Sequence, residues 1–152
     1  MEQKEIVECK REHLEMIQNI ITRMNSNSFT LKGMVVLIVT ACFGIYTANT
    51  NINAIILLLP IIPIIIVCLL DMYYLLLERK FRYLYDDVIL DIQNEANKIQ
   101  LYDMSLKKYV KKNYKKLSIF NVFCSNSIML FYALFMILSI TIYFIVYFTK
   151  GV

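Results

Sequence analysis

The chain has 152 residues, 59 % of them hydrophobic, with 3 Gly, 2 Pro, 4 Cys, 1 His and a formal net charge of +4. So few turn formers exclude a loop-rich domain, and apolar residues gathered in three blocks exclude a soluble core in favour of an integral membrane protein. A lone His, and Cys9, Cys42, Cys68 and Cys124 without a C-x-x-C spacing, exclude a metal site, leave a disulfide framework unsupported and call for no cofactor.

The expected fold class is an all-α membrane protein: three transmembrane helices with an N-terminal amphipathic helix and a cytosolic helical extension. Helix is the state that lets lipid-exposed backbone satisfy its own hydrogen bonds. Residues 1–28 read as the cytosolic amphipathic helix. Val7, Leu14, Ile17, Ile21 and Met24 recur at steps of seven, three, four and three, a seam for a neighbouring helix. Glu2, Glu5, Glu8, Glu12 and Glu15 cover one acidic face, either a solvated surface or an electrostatic partner for a basic segment further on. This start has neither the basic nor the apolar region of a signal peptide, is too acidic for a transit peptide, and carries no lipidation box. Asn25, Ser26, Asn27 and Ser28 compete for helix hydrogen bonds and predict a turn or kink feeding the first span.

Residues 29–48 form that span, with Lys32 near its start free to snorkel to the interface. Thr40, Gly44 and Ala48 make a small-x-x-x-small series, which suits close helix packing or, as the lesser reading, a polar path. Residues 49–53 are an uncharged external loop that forces an antiparallel hairpin. The second span covers 54–77. Its uncharged run Ala54 to Leu70 is seventeen residues long, reaching roughly 26 Å at helical rise, close to the hydrocarbon thickness of a bilayer. Pro60 and Pro63 fall mid-membrane, where each removes a backbone bond; they read as a static kink or a gating hinge. Asp71 marks the inner edge. It is either interfacial or part of a carboxylate ring at the inner mouth of an oligomeric pore, and with Thr40 and Gly44 it is a candidate for pore lining or helix packing.

Residues 78–124 read as a cytosolic helical region, with opposite charges spaced i, i+4 at Glu78/Arg82 and Arg82/Asp86. Tyr73, Tyr74, Phe81, Tyr83, Tyr85 and Tyr102 place aromatics at the water boundary and just beyond. The run SLKKYVKKNYKKL carries Lys107, Lys108, Lys111, Lys112, Lys115 and Lys116 as pairs every four residues, half the circumference of a helix, with Leu106, Tyr109, Val110 and Leu117 mostly opposite. Four readings stay open: topology charge, a contact with anionic lipid, a partner for the acidic N-terminal face, or a binding site for nucleotide or oligonucleotide phosphates. The third span is 125–149, with Ser139 and Thr141 its internal polar groups.

Lys and Arg number five before Gly33, none in 49–53, ten in 79–116 and one at Lys150. The positive-inside rule places the N-terminus and the 78–124 region in the cytoplasm. No nucleophile–base pair, phosphate-binding loop or paired carboxylate site is visible, so an enzyme is not expected. A single three-span protomer encloses too little space for a pore, so conduction requires a homo-oligomer in the lipid bilayer.

Residues 14–33, LEMIQNIITRMNSNSFTLKG, follow the pattern R-M-x-x-N-S-F-x-x-K-G leading into a first span, and Asp71, Tyr74, Leu75, Glu78, Arg79, Arg82, Leu84 and Tyr85 follow D-x-x-Y-L-x-x-E-R-x-x-R-x-L-Y. This combination resembles small bacterial inner-membrane proteins of antiphage defence, the SLATT membrane effectors and the channel-forming effector of the Hailong system. Met34 stands where that pattern has an aromatic, and the third span departs from the two-span SLATT arrangement. The resemblance implies a membrane-depolarising effector in a bacterial inner membrane, partnered by a nucleotidyltransferase or its nucleotide or oligonucleotide product, with Lys107 to Lys116 as the contact. The alternative is a non-conducting membrane anchor or interaction subunit that recruits a cytosolic partner through residues 2–24 and 78–117.

Overall fold

The computed structural model describes residues 3–49, 51–93, 99–110 and 117–150. Of the described residues 87 % are helical and none is in a strand, which makes the fold all-α. The elements are α1 (Gln3–Ala48), α2 (Ile61–Gln93), α3 (Ile119–Phe123) and α4 (Asn126–Lys150), with 3₁₀ turns at Ala54–Leu58 and Lys107–Val110. Three helices are long and apolar enough to cross a membrane: α1, α2 with its preceding 3₁₀ turn, and α4.

Two expectations are corrected within these helices. No turn forms at Asn25–Ser28, because α1 runs unbroken through them. Asn and Ser are each only about 0.5 kcal/mol poorer than Ala in a helix, and the packing of neighbouring Ile17 and Leu31, both buried, outweighs that. The two prolines do not lie in a helix interior either. Residues 54–58 are a 3₁₀ turn whose Asn53 side chain accepts from the Ile55 N–H at 3.0 Å. Helix α2 begins only at Ile61, with the Pro60 carbonyl accepting from the Ile64 N–H at 3.0 Å. Pro60 therefore precedes the first turn and Pro63 sits within it, where the missing N–H would have had no helical partner.

The chain falls into two compact units, one of Met1–Asn27 with Tyr74–Val122 and one of Ser28–Tyr73 with Phe123–Val152. The second is inverted relative to a soluble domain. Leu31, Val35, Val39, Cys42 and Tyr46 form the buried stripe of α1 in this unit, and Leu57, Ile64, Met72, Ile128 and Tyr132 complete its interior. The 3₁₀ turn at Ala54–Leu58 packs on α4. Leu37, Ile62, Leu69, Leu130, Leu134 and Phe148 are among the many large apolar side chains left exposed, which suits lipid and not water.

The first unit has a conventional core. Ile17, Leu84, Val88 and Tyr109 are buried together, with Leu14, Ile21, Phe81, Ile92, Leu106 and Leu117 packed around them. From α1, Ile17 is in this core with Leu14 and Ile21 against it, whereas Val7 is 64 % exposed and lies outside it. His13 is buried with its ring 6.0 Å from that of Tyr102, and its Nε2 has no hydrogen-bond partner among the described residues. The 78–124 region is not continuous helix: α2 ends at Gln93, and the described residues from Ile99 to Leu106 are non-helical. Within them Tyr102 takes a left-handed backbone (φ 63°) and donates its hydroxyl to Glu12 Oε2 at 2.8 Å.

Candidate functional site: a carboxylate buried among three helices

Asp71 is fully buried, and side chains from α1 and α4 converge on it. Its Oδ1 accepts from Ser28 Oγ at 2.5 Å, and its Oδ2 accepts from Lys32 Nζ at 2.7 Å and from Tyr132 OH at 2.9 Å. Lys32 Nζ also donates to Ser28 Oγ at 2.7 Å. Ser28 and Lys32 are one helical turn apart, so both reach the same point from one face of α1. All four side chains are satisfied, and the pair Lys32–Asp71 is neutral as a unit, with 17 % of the lysine side chain and none of the aspartate exposed.

Such a site does not follow from packing needs. Taking two charges out of water costs several kcal/mol per ion, and apolar residues of similar volume usually serve stability as well or better. What the pair supplies is direction: Asp71 on α2 fixes the rotation and height of α1 and α4 through hydrogen bonds that tolerate little shift. Any movement that parts Lys32 from Asp71 must find water or another partner for both.

The sequence singled out Asp71 but not its partners. The signal was available. Lys32 lies 17 positions before Asn49 and Asp71 lies 18 after Asn53 (49 − 32 and 71 − 53), so a hairpin turning at 49–53 brings the lone cation of one span level with the lone anion of the other. Lys32 accordingly turns inward instead of snorkelling. Asp71 lies within the protomer with both oxygens occupied, in contrast to a carboxylate displayed at a pore mouth.

The other candidates lie elsewhere. Thr40 is exposed, with its hydroxyl bonded back to the Val36 and Leu37 carbonyls. Gly44 is exposed too, and nothing stands within 4 Å of where a Cβ would be, so the Thr40–Gly44–Ala48 series lies open on the outer side of α1. Of the lysines, Lys107 is exposed on the 3₁₀ turn and Lys108 Nζ meets Asp87 Oδ2 at 2.5 Å. Lys111, Lys112, Lys115 and Lys116 lie outside the described residues.

Within the first unit, Asp87 also accepts from the buried Tyr109 hydroxyl at 2.6 Å. Burial alone would raise the Asp87 carboxyl, but the hydrogen bonds from Lys108 and Tyr109 and the lysine's charge outweigh it and hold it below the usual carboxylate range. The Tyr102 hydroxyl is raised, chiefly by its hydrogen bond to Glu12. Glu78 pairs with Arg82 at 2.7 Å, so Arg82 faces Glu78 and not Asp86. A cleft of about 470 Å³ lies between α1 and α2 of this unit, lined by Gln18, Ile21, Thr22, Asn25, Arg82, Tyr85 and Asp86. Among the described residues no group of three or more His, Cys, Asp or Glu side chains is placed to hold a metal ion. Comparison with known proteins gave no matching family model, no similar curated protein and no similar solved structure.

Proposed function

We propose that this chain is a membrane effector that forms a channel or pore as a homo-oligomer, opened or shut from its cytosolic side. The observation that carries the reading is the Ser28–Lys32–Asp71–Tyr132 cluster. An anchor needs only apolar helices and gains nothing from an ion pair held among them. A protein whose membrane helices must adopt two arrangements gains a latch, and ionisable groups within membrane helices usually mark function.

In this reading the N-terminal part of α1 and residues 78–124 form a cytosolic unit that receives the signal, with the positive charge of 79–116 on the inner side. The open Thr40–Gly44–Ala48 face of α1 is where copies meet. The likeness of residues 14–33 and 71–85 to SLATT proteins and the Hailong effector supplies the setting: antiphage defence at a bacterial inner membrane, with a nucleotidyltransferase or its product as the signal and Lys107, Lys108, Lys111, Lys112, Lys115 and Lys116 as its contact.

The test is ion flux from liposomes holding the purified protein, with and without nucleotides and short oligonucleotides, for wild type and for Lys32→Met/Asp71→Asn. The double substitution removes both charges and keeps hydrogen bonding for Ser28 and Tyr132. Wild-type flux should respond to a ligand, and the variant should insert normally yet lose that response. No wild-type flux under any ligand or membrane potential would sink the reading and leave the non-conducting anchor, for which the polar cleft between α1 and α2 would be the docking place.

A further inference from the structure

The most exposed apolar pair on the short helix α3 is Ile119 (68 %) and Phe120 (72 %), in a unit whose other apolar residues mostly face its own core. The helix is not loose. Val122 is buried, and the Asn121 carbonyl accepts from Arg79 Nη1 at 3.4 Å. Held this way, α3 turns two of the most water-averse side chains of its unit outward.

The depth of that display follows from Arg79. It stands two positions beyond Leu77, where the second span ends, which is about 3 Å along the helix axis. A segment bonded to Arg79 is therefore at headgroup level. The chain agrees from the other direction, since α3 ends at Phe123 and α4 enters its apolar run from Asn126. Lys115 and Lys116 stand four and three positions before α3 in sequence, the residue type that suits anionic headgroups. We propose that Ile119 and Phe120 are a lipid-contacting foot: they insert into the headgroup–acyl boundary of the leaflet facing residues 78–124 and hold α3 on the membrane surface. The chemistry is that of an interfacial segment, apolar side chains below and cationic ones beside it. It does not depend on whether the protein conducts.

The protein contains no Trp, so one introduced residue reports alone. Phe120→Trp and, separately, Ile119→Trp are reconstituted in liposomes of anionic and zwitterionic lipid. Quenching by acrylamide in the water is then compared with quenching by lipids brominated near the glycerol or near the chain ends. Leu90→Trp is the aqueous control, being 53 % exposed and about 20 Å beyond Leu77 along α2. The expected result is emission cut by roughly half by shallow bromine, less by deep bromine, with weak acrylamide quenching at 119 and 120 and strong quenching at 90. Acrylamide quenching at 119 and 120 as strong as at 90 overturns the proposal, and shielding from acrylamide and both bromolipids overturns it in favour of a protein occupant such as a second copy.

Discussion

Removing Lys32 alone leaves the Asp71 carboxylate buried without its counter-charge, which should cost about 3–5 kcal/mol. Lys32→Met is therefore expected to unfold well below wild type in detergent micelles, followed by circular dichroism against temperature. Lys32→Met/Asp71→Asn should regain most of that loss, a non-additivity that two independent sites would not give. Asp87 makes a different prediction, because its carboxyl lies in the charged unit and is held low by Lys108 and Tyr109. A carboxylate with a lowered folded value adds stability that is fully present above the ordinary carboxylate range and is lost as the pH falls through the lower folded value. Asp87→Asn should lower the thermal midpoint at neutral pH, converge with wild type in acid and so flatten the acid end of the profile; an unaltered acid slope would show that other groups set it. At this scale the sequence was half legible. Asp71 stood out as an acid at a membrane edge, and Lys32 matched it in distance from the loop. Tyr132 gave no signal, because nothing in the local pattern of α4 says which of its faces meets the hairpin.

Helix continuity is decided by packing over propensity. The four residues Asn25 to Ser28 carry turn chemistry, yet Ser28 spends its hydroxyl on Asp71 and the backbone stays helical. Asn25→Ala should thus raise stability by about 0.5 kcal/mol, read as a higher thermal midpoint; a fall would restore the predicted turn. Pro60 and Pro63 were legible as breakers but not as a helix start, since that depends on residues 54–58 winding as a 3₁₀ turn against α4. Pro63→Ala should leave ion flux and its ligand response unchanged, because in the first turn of α2 the missing N–H breaks no helical bond. The apolar blocks themselves were readable from composition, and the seam at Leu14, Ile17 and Ile21 from period. The left-handed Tyr102 was not, as a bulky residue rarely adopts that backbone and no sequence rule would place it.

For the whole molecule, the number of copies is the deciding quantity. The open small-residue face of α1 predicts that Gly44→Ile, which meets no atom of its own chain, leaves the protomer stable but weakens self-association. Chemical cross-linking in native membranes should then show fewer high-order bands than wild type; undiminished bands would move the interface to another face. Charge reversal of Lys107, Lys108, Lys111 and Lys112 to Glu should abolish any response to a polyanionic ligand, and an intact response would leave those residues as topology charge. Spans are written in blocks of many residues and survive being read one residue at a time. Assembly is written in which apolar surface meets lipid and which meets another copy, and exposed Leu and Ile look alike in both places.

The buried imidazole of His13 turns one corner of the protein into a clock. Its Nε2 is sealed from solvent without a partner, and that desolvation opposes the docking of the N-terminal helix by about 1–3 kcal/mol. The corner is held instead by Ile17 and by the Tyr102–Glu12 bond, so its opening is a local event separable from global unfolding. As the sole histidine, it yields a single histidine-modified peptide after treatment with an acylating reagent, told apart by sequencing from peptides acylated on lysine. The rate at which that peptide accumulates counts how often the N-terminal helix lifts away, and a change in the rate when a signal molecule is added would time the first movement of the response.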